Sequence, residues 1–178
     1  MITVRDKQID VLFDAARIAA EVDRIAAEIA VGPSANLLVV SVLKGSFVFA
    51  ADLIRAMHRA GLAPEVEFIS LSSYGAGTEG GEVRILRDVD CEVAGRTVLL
   101  VDDILESGRT LAFARDLLLS RGADAVKLAV LLDKKGKRKA AIEADHVGID
   151  CPDHFVVGYG MDVAHAFREL PFIGRVVG

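Results

Sequence analysis

The chain has 178 residues, 52% of them apolar, and a net charge of −5. This length fits one domain with a substantial core, and the apolar content excludes intrinsic disorder. The negative charge argues against a general nucleic-acid binder, and the two cysteines provide no disulfide framework or metal spacing, which fits a reducing cytoplasm.

The first predicted element is an amphipathic helix from Asp10 to about Val31. The seven residues at the start of the chain contain no long apolar run, so no signal peptide is expected. Gly32 and Pro33 end the helix, to which we assign only a packing role. Its apolar positions recur at three- and four-residue steps and are Leu12, Ala16, Ala19, Val22, Ala26 and Ile29.

A buried strand is predicted at Leu37–Leu43, which is almost entirely apolar. A second helix follows the turn Lys44-Gly45-Ser46, with Ser46 as its N-cap and Gly61 as the residue that closes it. The polar residues of this stretch exclude a membrane span. By composition alone, the lysine and glycine of the turn are ordinary loop residues.

The next strand, Val66–Leu71, leads into a glycine-rich loop at 72–81. Four glycines make this loop costly to order for packing alone. It is therefore either a flexible surface hairpin or a lid that closes over a reaction. Val83–Leu86 is predicted as the returning arm.

The stretch from Thr97 to Thr110 is the most informative. Its unbroken apolar run predicts a central strand of a parallel sheet, and the run ends at Asp102 and Asp103. A short turn beginning at Ser107 and a further helix follow, with Leu111, Ala114 and Leu118 on one helix face and Gly122 at its end. In open α/β sheets, ligands bind beyond the carboxyl ends of the strands.

The turn from Ser107 to Thr110 has the features of a phosphate cradle. Small residues let backbone N–H groups approach an anion, and a helix N-terminus favours negative charge. The turn is neither a P-loop nor a dinucleotide fingerprint. The adjacent Asp102 and Asp103 would repel a bare phosphate, but they suit sugar hydroxyls or a hard cation such as Mg²⁺. The plain alternative is a strand-to-helix turn with acidic cap residues.

Another strand is predicted at Ala125–Leu132, followed by a basic run from Lys134 to Lys139. The run has no interleaved aromatic residues for base stacking, so we interpret Lys135 to Lys139 as a solvated loop. Farther along, periodicity alone would place Phe155 in the core.

The segment V-L-L-V-D-D-I-L-E-S-G-R-T resembles the signature of the type I phosphoribosyltransferases. In that family the acidic pair contacts the ribose hydroxyls of phosphoribosyl pyrophosphate, which implies this role for Asp102 and Asp103. The turn and helix start bind the 5′-phosphate, and the matching residues here are Ser107, Gly108, Arg109 and Thr110.

The segment V-L-K-G-S-F-V-F-A-A-D-L resembles the pyrophosphate-binding segment of hypoxanthine-guanine phosphoribosyltransferases. The resemblance implies that Lys44 and Gly45 contact pyrophosphate, and that the Leu43–Lys44 peptide bond is cis, as it often is in the family. It also implies that the motif Ser73-Tyr74 belongs to a mobile lid.

The resemblance also supplies a purine site. In L-L-D-K, Lys134 matches a lysine that donates to the C6 oxygen of a 6-oxopurine. In V-G-I-D-C-P-D-H-F-V-V-G-Y-G-M-D, Phe155 would stack on the purine and the Val156 backbone would meet its edge. Asp162 matches a magnesium-binding aspartate, expected to serve the metal with Asp102 and Asp103. Arg168 matches an arginine that contacts pyrophosphate.

The resemblance covers roughly Leu37 to the C-terminus. It implies an α/β fold with a parallel sheet flanked by helices, a small hood built from the terminal segments and a mobile lid loop. We expect a single domain at 1–178 with its core at about 37–160, assembled as a homodimer or homotetramer in the cytoplasm. The implied reaction belongs to purine salvage: magnesium-dependent transfer of phosphoribosyl to N9 of hypoxanthine or guanine, with release of pyrophosphate.

Glu106 is the main departure from the family, which usually has aspartate there. The resemblance makes this residue the proton acceptor near purine N7. Lys135, where proline is often found, and Val163, where an aromatic is common, also depart and leave the base preference open. The alternatives are a phosphoribosyltransferase for xanthine or another base, and an RNA-binding regulator that senses phosphoribosyl pyrophosphate. The regulator would have to use the basic run Lys134–Lys139.

Overall fold

A computed structural model describes residues 1–74 and 82–177. Their helices are α1 (Ala15–Val31), α2 (Phe47–Arg59) and α3 (Arg109–Ser120). A short 3₁₀ turn lies at Lys135–Lys137. The strands are β1 (Ile2–Val4), β2 (Lys7–Phe13), β3 (Leu37–Leu43), β4 (Glu65–Tyr74), β5 (Glu82–Arg87), β6 (Thr97–Leu105), β7 (Ala125–Asp133), β8 (His146–Asp150), β9 (Val156–Val157) and β10 (Ile173–Val177).

The described residues form a six-stranded main sheet in the order β5-β4-β3-β6-β7-β8. Strands β4, β3, β6, β7 and β8 pair in parallel, and β5 pairs antiparallel with β4 at one edge. The predicted parallel sheet is confirmed, with β6 next to its centre. The carboxyl ends of β3, β6 and β7 therefore meet at one edge of the sheet.

Alternate residues of the central strands face two separate cores, which explains why these strands are apolar throughout. Val39 and Leu99 pack on the side of α1 and α2. Leu38 and Leu100 pack on the side of α3. The sheet is thus flanked by helices on both faces, as the sequence predicted.

The two ends of the chain form a second sheet, in the order β1-β2-β10-β9, with antiparallel pairing throughout. This is the small hood expected from the terminal segments. It is held together by a core of its own, which contains Ile9, Val157, Phe167 and Leu170.

The predicted start of the first helix was wrong. Asp10 to Phe13 belong to β2, because β10 from the far end of the chain provides their pairing partners. The helix begins at Ala15, and the side chain of Asp14 caps it by accepting from the Arg17 N–H at 2.8 Å. Of the predicted apolar positions, Ala16 and Ala19 are exposed. The buried face is instead formed by Ile18, Val22, Ile25, Ala26 and Ile29.

The predicted helix ends are confirmed, and Ser46 occupies the predicted N-cap position of α2 but does not cap the helix through its side chain. Gly61 and Gly122 follow α2 and α3 with φ of +90° and +89°, a conformation that glycine adopts readily. Ser46 makes no capping hydrogen bond to the described residues. It is buried, and its hydroxyl contacts the Ser41 hydroxyl at 2.7 Å instead. Among the described helices, none is long and apolar enough to cross a membrane.

Candidate active site

Two cavities of about 430 and 340 Å³ lie at the carboxyl ends of the central strands. We call them the Phe155 cavity and the Ser107 cavity. They share Lys44, Gly45, Asp103 and Glu106 among their lining residues, so they adjoin. The Phe155 cavity is also lined by Ser70, Leu86, Lys134, Phe155, Val156, Met161, Asp162 and Arg168. The Ser107 cavity is also lined by Ser73, Asp102, Ser107, Gly108 and Thr110.

The cradle predicted from the sequence lies at the start of α3. Gly108 precedes the helix with φ +79°, and an added Cβ would lie 2.4 Å from Ile142 Cγ2, so glycine is required there. The Arg109 N–H points to the Ser107 hydroxyl at 3.4 Å. Arg109 is not among the described residues that line either cavity, so the structure does not place its side chain at the predicted phosphate site. Ser107 and Thr110 both line the Ser107 cavity.

Asp102 and Asp103 lie near the carboxyl end of β6, which continues to Leu105. Asp102 lines the Ser107 cavity, and Asp103 lines both cavities. Asp103 is 9% exposed, and its N–H donates to Asp102 Oδ1 at 2.9 Å. Burial raises the pKa of both carboxyl groups, and the neighbouring Asp103 charge raises the pKa of Asp102 further. The pair is therefore poised to accept a cation or hydrogen-bond donors that would stabilise its charged form.

The Lys44-Gly45 turn lies directly against this acidic pair. The Leu43–Lys44 peptide bond is cis, as the resemblance implied. An added Cβ on Gly45 would lie 2.1 Å from Asp103 Oδ2, so a larger residue could take this position only if the turn or Asp103 moved. From the other side, an added Cβ on Gly160 would lie 2.5 Å from the Gly45 oxygen. Sequence reasoning missed Gly160, although a glycine between bulky Tyr159 and Met161 was a usable signal.

Arg168 connects the hood segment to the same turn. It donates to the Gly160 oxygen at 2.5 Å and pairs with Asp162 Oδ1 at 2.9 Å. Its positive charge also acts on Asp103, favouring the ionised carboxylate and opposing the rise of its pKa. Arg168 and Asp162 line the Phe155 cavity together with Lys44. The structure therefore brings Lys44 and Arg168, the two cations expected to contact pyrophosphate, to the same cavity.

Lys134 and Glu106 form a close ion pair at the boundary of the two cavities. The Lys134 side chain is 5% exposed, whereas that of Glu106 is 44% exposed. A buried lysine needs a partner, and here the partner is the residue expected to accept a proton. The pairing also shows that glutamate at this position reaches the lysine.

Phe155 is 67% exposed, which rules out the core position that periodicity favoured. The neighbouring Val156 is buried, and its backbone pairs with Arg175 in the hood sheet. Both residues line the Phe155 cavity beside Lys134. An exposed aromatic ring beside a buried cation suits a flat heteroaromatic ligand with a polar edge.

The interpretation of Lys135 to Lys139 as a solvated loop was wrong for Arg138. The Arg138 side chain is only 18% exposed and pairs with buried Asp133 at 2.5 Å. Lys135 and Lys137 agree with the solvated-loop interpretation, because their side chains are largely exposed. Lys135 pairs with Asp150 and Lys137 with Asp153, each at 3.0 Å. As an arginine within a run of lysines, Arg138 carried a signal that sequence reasoning did not use.

The carboxylates fit a magnesium ion that takes part of its coordination from a ligand. Among the described residues, no group of three or more acidic, histidine or cysteine side chains is arranged to hold a metal alone. Asp103 and Asp162 line one cavity, but Asp162 is engaged with Arg168 and with the His165 N–H at 2.7 Å. Mg²⁺ commonly binds through one or two carboxylates plus phosphate oxygens and water, and this donor set satisfies that pattern.

Of the expected lid, Ser73 lies near the end of β4 and lines the Ser107 cavity. Tyr74 is the last residue of that strand. The loop at 75–81 lies outside the described residues, so the mobile lid stays a prediction.

Comparison with known protein families identifies the family to which the chain belongs. The family model described as "Phosphoribosyl transferase domain" matches residues 8–164. The chain therefore belongs to the phosphoribosyltransferase family.

Relatives narrow this assignment to the hypoxanthine-guanine phosphoribosyltransferases. The chain is 46% identical over 138 residues to the Bacillus subtilis hypoxanthine-guanine phosphoribosyltransferase, covering 77% of this chain and 75% of that one. The hypoxanthine phosphoribosyltransferase structure from Staphylococcus aureus superposes with a TM-score of 0.89 at 38% identity, covering 94% and 91% of the two chains. The chain is also 50% identical over 140 residues to the bifunctional protein TilS/HprT of Listeria innocua, of which it spans only 21%.

Proposed function

We propose that this chain transfers the 5-phosphoribosyl group from phosphoribosyl pyrophosphate to N9 of hypoxanthine or guanine, as a step of purine salvage. The observation that carries the proposal is the position of buried Lys134, which lines the Phe155 cavity and pairs with Glu106. A buried ammonium group beside an exposed aromatic ring selects a flat base with an acceptor oxygen. The adjoining Ser107 cavity supplies the sugar-phosphate site.

In the proposed complex, the 5′-phosphate lies in the cradle at Ser107 to Thr110. The N–H groups of the α3 N-terminus and the two hydroxyls would donate to its oxygens. Asp102 and Asp103 would accept hydrogen bonds from the ribose hydroxyls. This arrangement holds the far end of the sugar and orients the anomeric carbon toward the Phe155 cavity.

The pyrophosphate would lie over the Lys44-Gly45 turn, within reach of the Arg168 guanidinium. Bound Mg²⁺ would supply charge neutralisation of the leaving pyrophosphate. Asp102, Asp103 and Asp162 are the residues we propose to hold it, together with substrate oxygens. The cations of Lys44 and Arg168 stabilise the negative charge that develops as the bond from C1′ to pyrophosphate breaks.

Recognition of the base falls to Lys134, Phe155 and Val156. Lys134 donates to the oxygen at C6 of hypoxanthine or guanine, whereas adenine presents an amino donor there and is disfavoured. Phe155 stacks on the ring, and the Val156 backbone meets the edge of the base. The ring loses solvent exposure in the complex, which favours binding.

Glu106 serves as the proton acceptor. As N9 forms its bond to C1′, the base must lose a proton, and the Glu106 carboxylate takes it from N7. Before the base arrives, the Glu106 side chain is paired with Lys134. Binding of the base then exchanges part of this pairing, because Lys134 turns its donors toward the C6 oxygen.

The other possibilities have less support. A preference for xanthine depends on how Lys135 and Val163 shape the base site, and no structural observation favours it over hypoxanthine. The RNA-binding regulator would need a free basic face. Four of the cations in the run are instead paired with carboxylates, those of Glu106, Asp133, Asp150 and Asp153.

We further propose that the protein works in the cytoplasm as a homodimer or homotetramer. The proposal is supported by a similar structure, that of the Trypanosoma cruzi hypoxanthine phosphoribosyl transferase, which was studied for its oligomeric state. This structure is 35% identical to the chain and superposes with a TM-score of 0.91. Light scattering coupled to size-exclusion chromatography would give the assembly directly.

The function is tested by an assay with phosphoribosyl pyrophosphate and Mg²⁺ against hypoxanthine, guanine, xanthine, adenine and uracil. We expect nucleotide from hypoxanthine and guanine and none from adenine or uracil. In Lys134→Gln, kcat/KM for the two 6-oxopurines should fall by roughly 100-fold or more, since a charged hydrogen bond to the base is lost. The exposed Lys137→Gln is the matched control. Turnover with xanthine or uracil alone would overturn the assignment of the base site.

A further inference from the structure

Leu86, in the antiparallel edge strand β5, is a large apolar side chain that is 67% exposed. It lines the Phe155 cavity, and Phe155 itself is exposed to the same degree. Two large apolar side chains thus border one cavity and remain mostly in contact with water. Exposed apolar surface that borders a ligand cavity is a typical sign of a ligand contact.

The strand pairing explains how Leu86 comes to line the cavity. Ser70 of β4 is paired with Arg87, and the next residue, Leu71, is paired with Ile85. This shift leaves Leu86 as an extra residue, unpaired with any described residue of β4, which is a β-bulge. Bulges redirect side chains and are frequent beside active sites. Both Ser70 and Leu71, on either side of the shift, also line the Phe155 cavity.

We propose that Leu86 is a base-contacting residue that provides an apolar contact to the bound purine in addition to Phe155. The inference rests on the proposed function. In the complex, Lys134 and Glu106 engage polar atoms of the base, while Leu86 and Phe155 lose water-exposed surface against it. Removing this apolar surface from water lowers the free energy of the complex with the base.

The neighbouring Ile85 provides a matched control. It is also apolar and partly exposed, at 37%, and it lies on the same strand. It has a paired residue in β4 and is not among the described residues that line either site cavity. A general weakening of β5 should therefore follow from a change at either residue, whereas loss of a base contact should follow only from a change at Leu86.

The test compares Leu86→Ala, Leu86→Met and Ile85→Ala with the wild type, measuring KM for hypoxanthine, KM for phosphoribosyl pyrophosphate, and kcat. We expect Leu86→Ala to raise KM for hypoxanthine roughly tenfold, because most of a leucine side chain's contact area is lost. The other two constants should change less than about twofold. Leu86→Met should keep a KM for hypoxanthine close to that of the wild type, and Ile85→Ala should leave this KM unchanged.

If the wild type is active and Leu86→Ala has the same KM for hypoxanthine as Ile85→Ala, this inference is overturned, while the proposed function is not. Equal losses for both substrates would also overturn it, since they would indicate a structural role. A wild type that turned over neither hypoxanthine nor guanine would overturn the proposed function, and this inference with it.

Discussion

The Arg138 guanidinium donates a hydrogen bond of 3.1 Å to the main-chain oxygen of Glu106. Its other nitrogen pairs with the buried carboxylate of Asp133. The two residues after Arg138 donate from their N–H groups to the Ser107 oxygen, each at 2.9 Å. The turn that carries the proposed proton acceptor and the start of the cradle is therefore held by the segment at 138–140.

Arg138→Ala should lower both stability and turnover. It leaves Asp133 buried without its cationic partner, which costs about 3 kcal/mol of unfolding free energy. It also frees the Glu106 turn, and the lost orientation should reduce kcat by roughly tenfold or more. Denaturant unfolding and steady-state kinetics measure the two effects.

Lys137→Ala is the control for Arg138, because its ion pair with Asp153 is exposed and should contribute little to stability. If Arg138→Ala kept the stability and turnover of the wild type, the contacts of Arg138 with Glu106 and Asp133 would have no function.

Glu106→Gln should reduce kcat by about 100-fold or more, because the amide cannot accept the proton from the base. Glu106→Asp keeps the acid and restores the residue usual in the family, so it should retain most of the turnover. Single-turnover measurements separate this chemical step from product release. Unchanged turnover in Glu106→Gln would rule out the proposed role as proton acceptor.

Gly45→Ala should raise KM for phosphoribosyl pyrophosphate strongly. The new methyl group would lie 2.1 Å from Asp103 Oδ2, so either the turn or the acidic pair must move. A displacement of this kind at a substrate-positioning turn costs roughly 100-fold in kcat/KM. The comparison variant is Gly136→Ala, since no described atom lies within 4 Å of the methyl group that it adds. If both variants behaved alike, the close packing of Gly45 would have no functional importance.

Asp88 should contribute stability that depends on pH. Its side chain accepts a hydrogen bond from Arg121 at 2.6 Å, and this contact lowers the pKa of Asp88. A lowered pKa in the folded state means that the contribution is complete above the unfolded pKa of about 4 and is lost as pH falls through the folded pKa. The pair is partly exposed, so we expect about 0.5 to 1 kcal/mol at pH 6.

Urea unfolding of the wild type and Asp88→Asn between pH 6 and pH 3 measures this contribution. The difference between the two should shrink as the pH falls. Asp90→Asn, at a more exposed ion pair with Arg87, should show a smaller difference throughout. A difference that grew toward low pH would contradict the assigned direction of the pKa.

Sequence patterns predicted the central elements well because local physics decides them. Leu37–Leu43 forms a strand with the predicted bounds, because a short apolar run between two turns is typical of a buried strand. Gly61 and Gly122 end their helices because their positive φ suits glycine. The acidic pair and the turn from Ser107 to Thr110 could be grouped into one candidate site because their residues lie close together in the chain.

The remainder depended on contacts between distant segments. Residues 10–13 were predicted as helical because their pairing partner, β10, lies at the other end of the chain. The bulge at Leu86 arises from a shift in pairing register that no local pattern predicts. Arg138 resembled its lysine neighbours until Asp133 and Glu106 were seen beside it.

The most direct test of the account is the stoichiometry of the reaction with guanine and phosphoribosyl pyrophosphate, with and without Mg²⁺. We predict one GMP and one pyrophosphate for each guanine consumed, and no reaction without the metal. Tight binding of phosphoribosyl pyrophosphate without GMP formation from guanine or IMP formation from hypoxanthine would contradict the proposed activity, and would indicate a sensor built on the same fold.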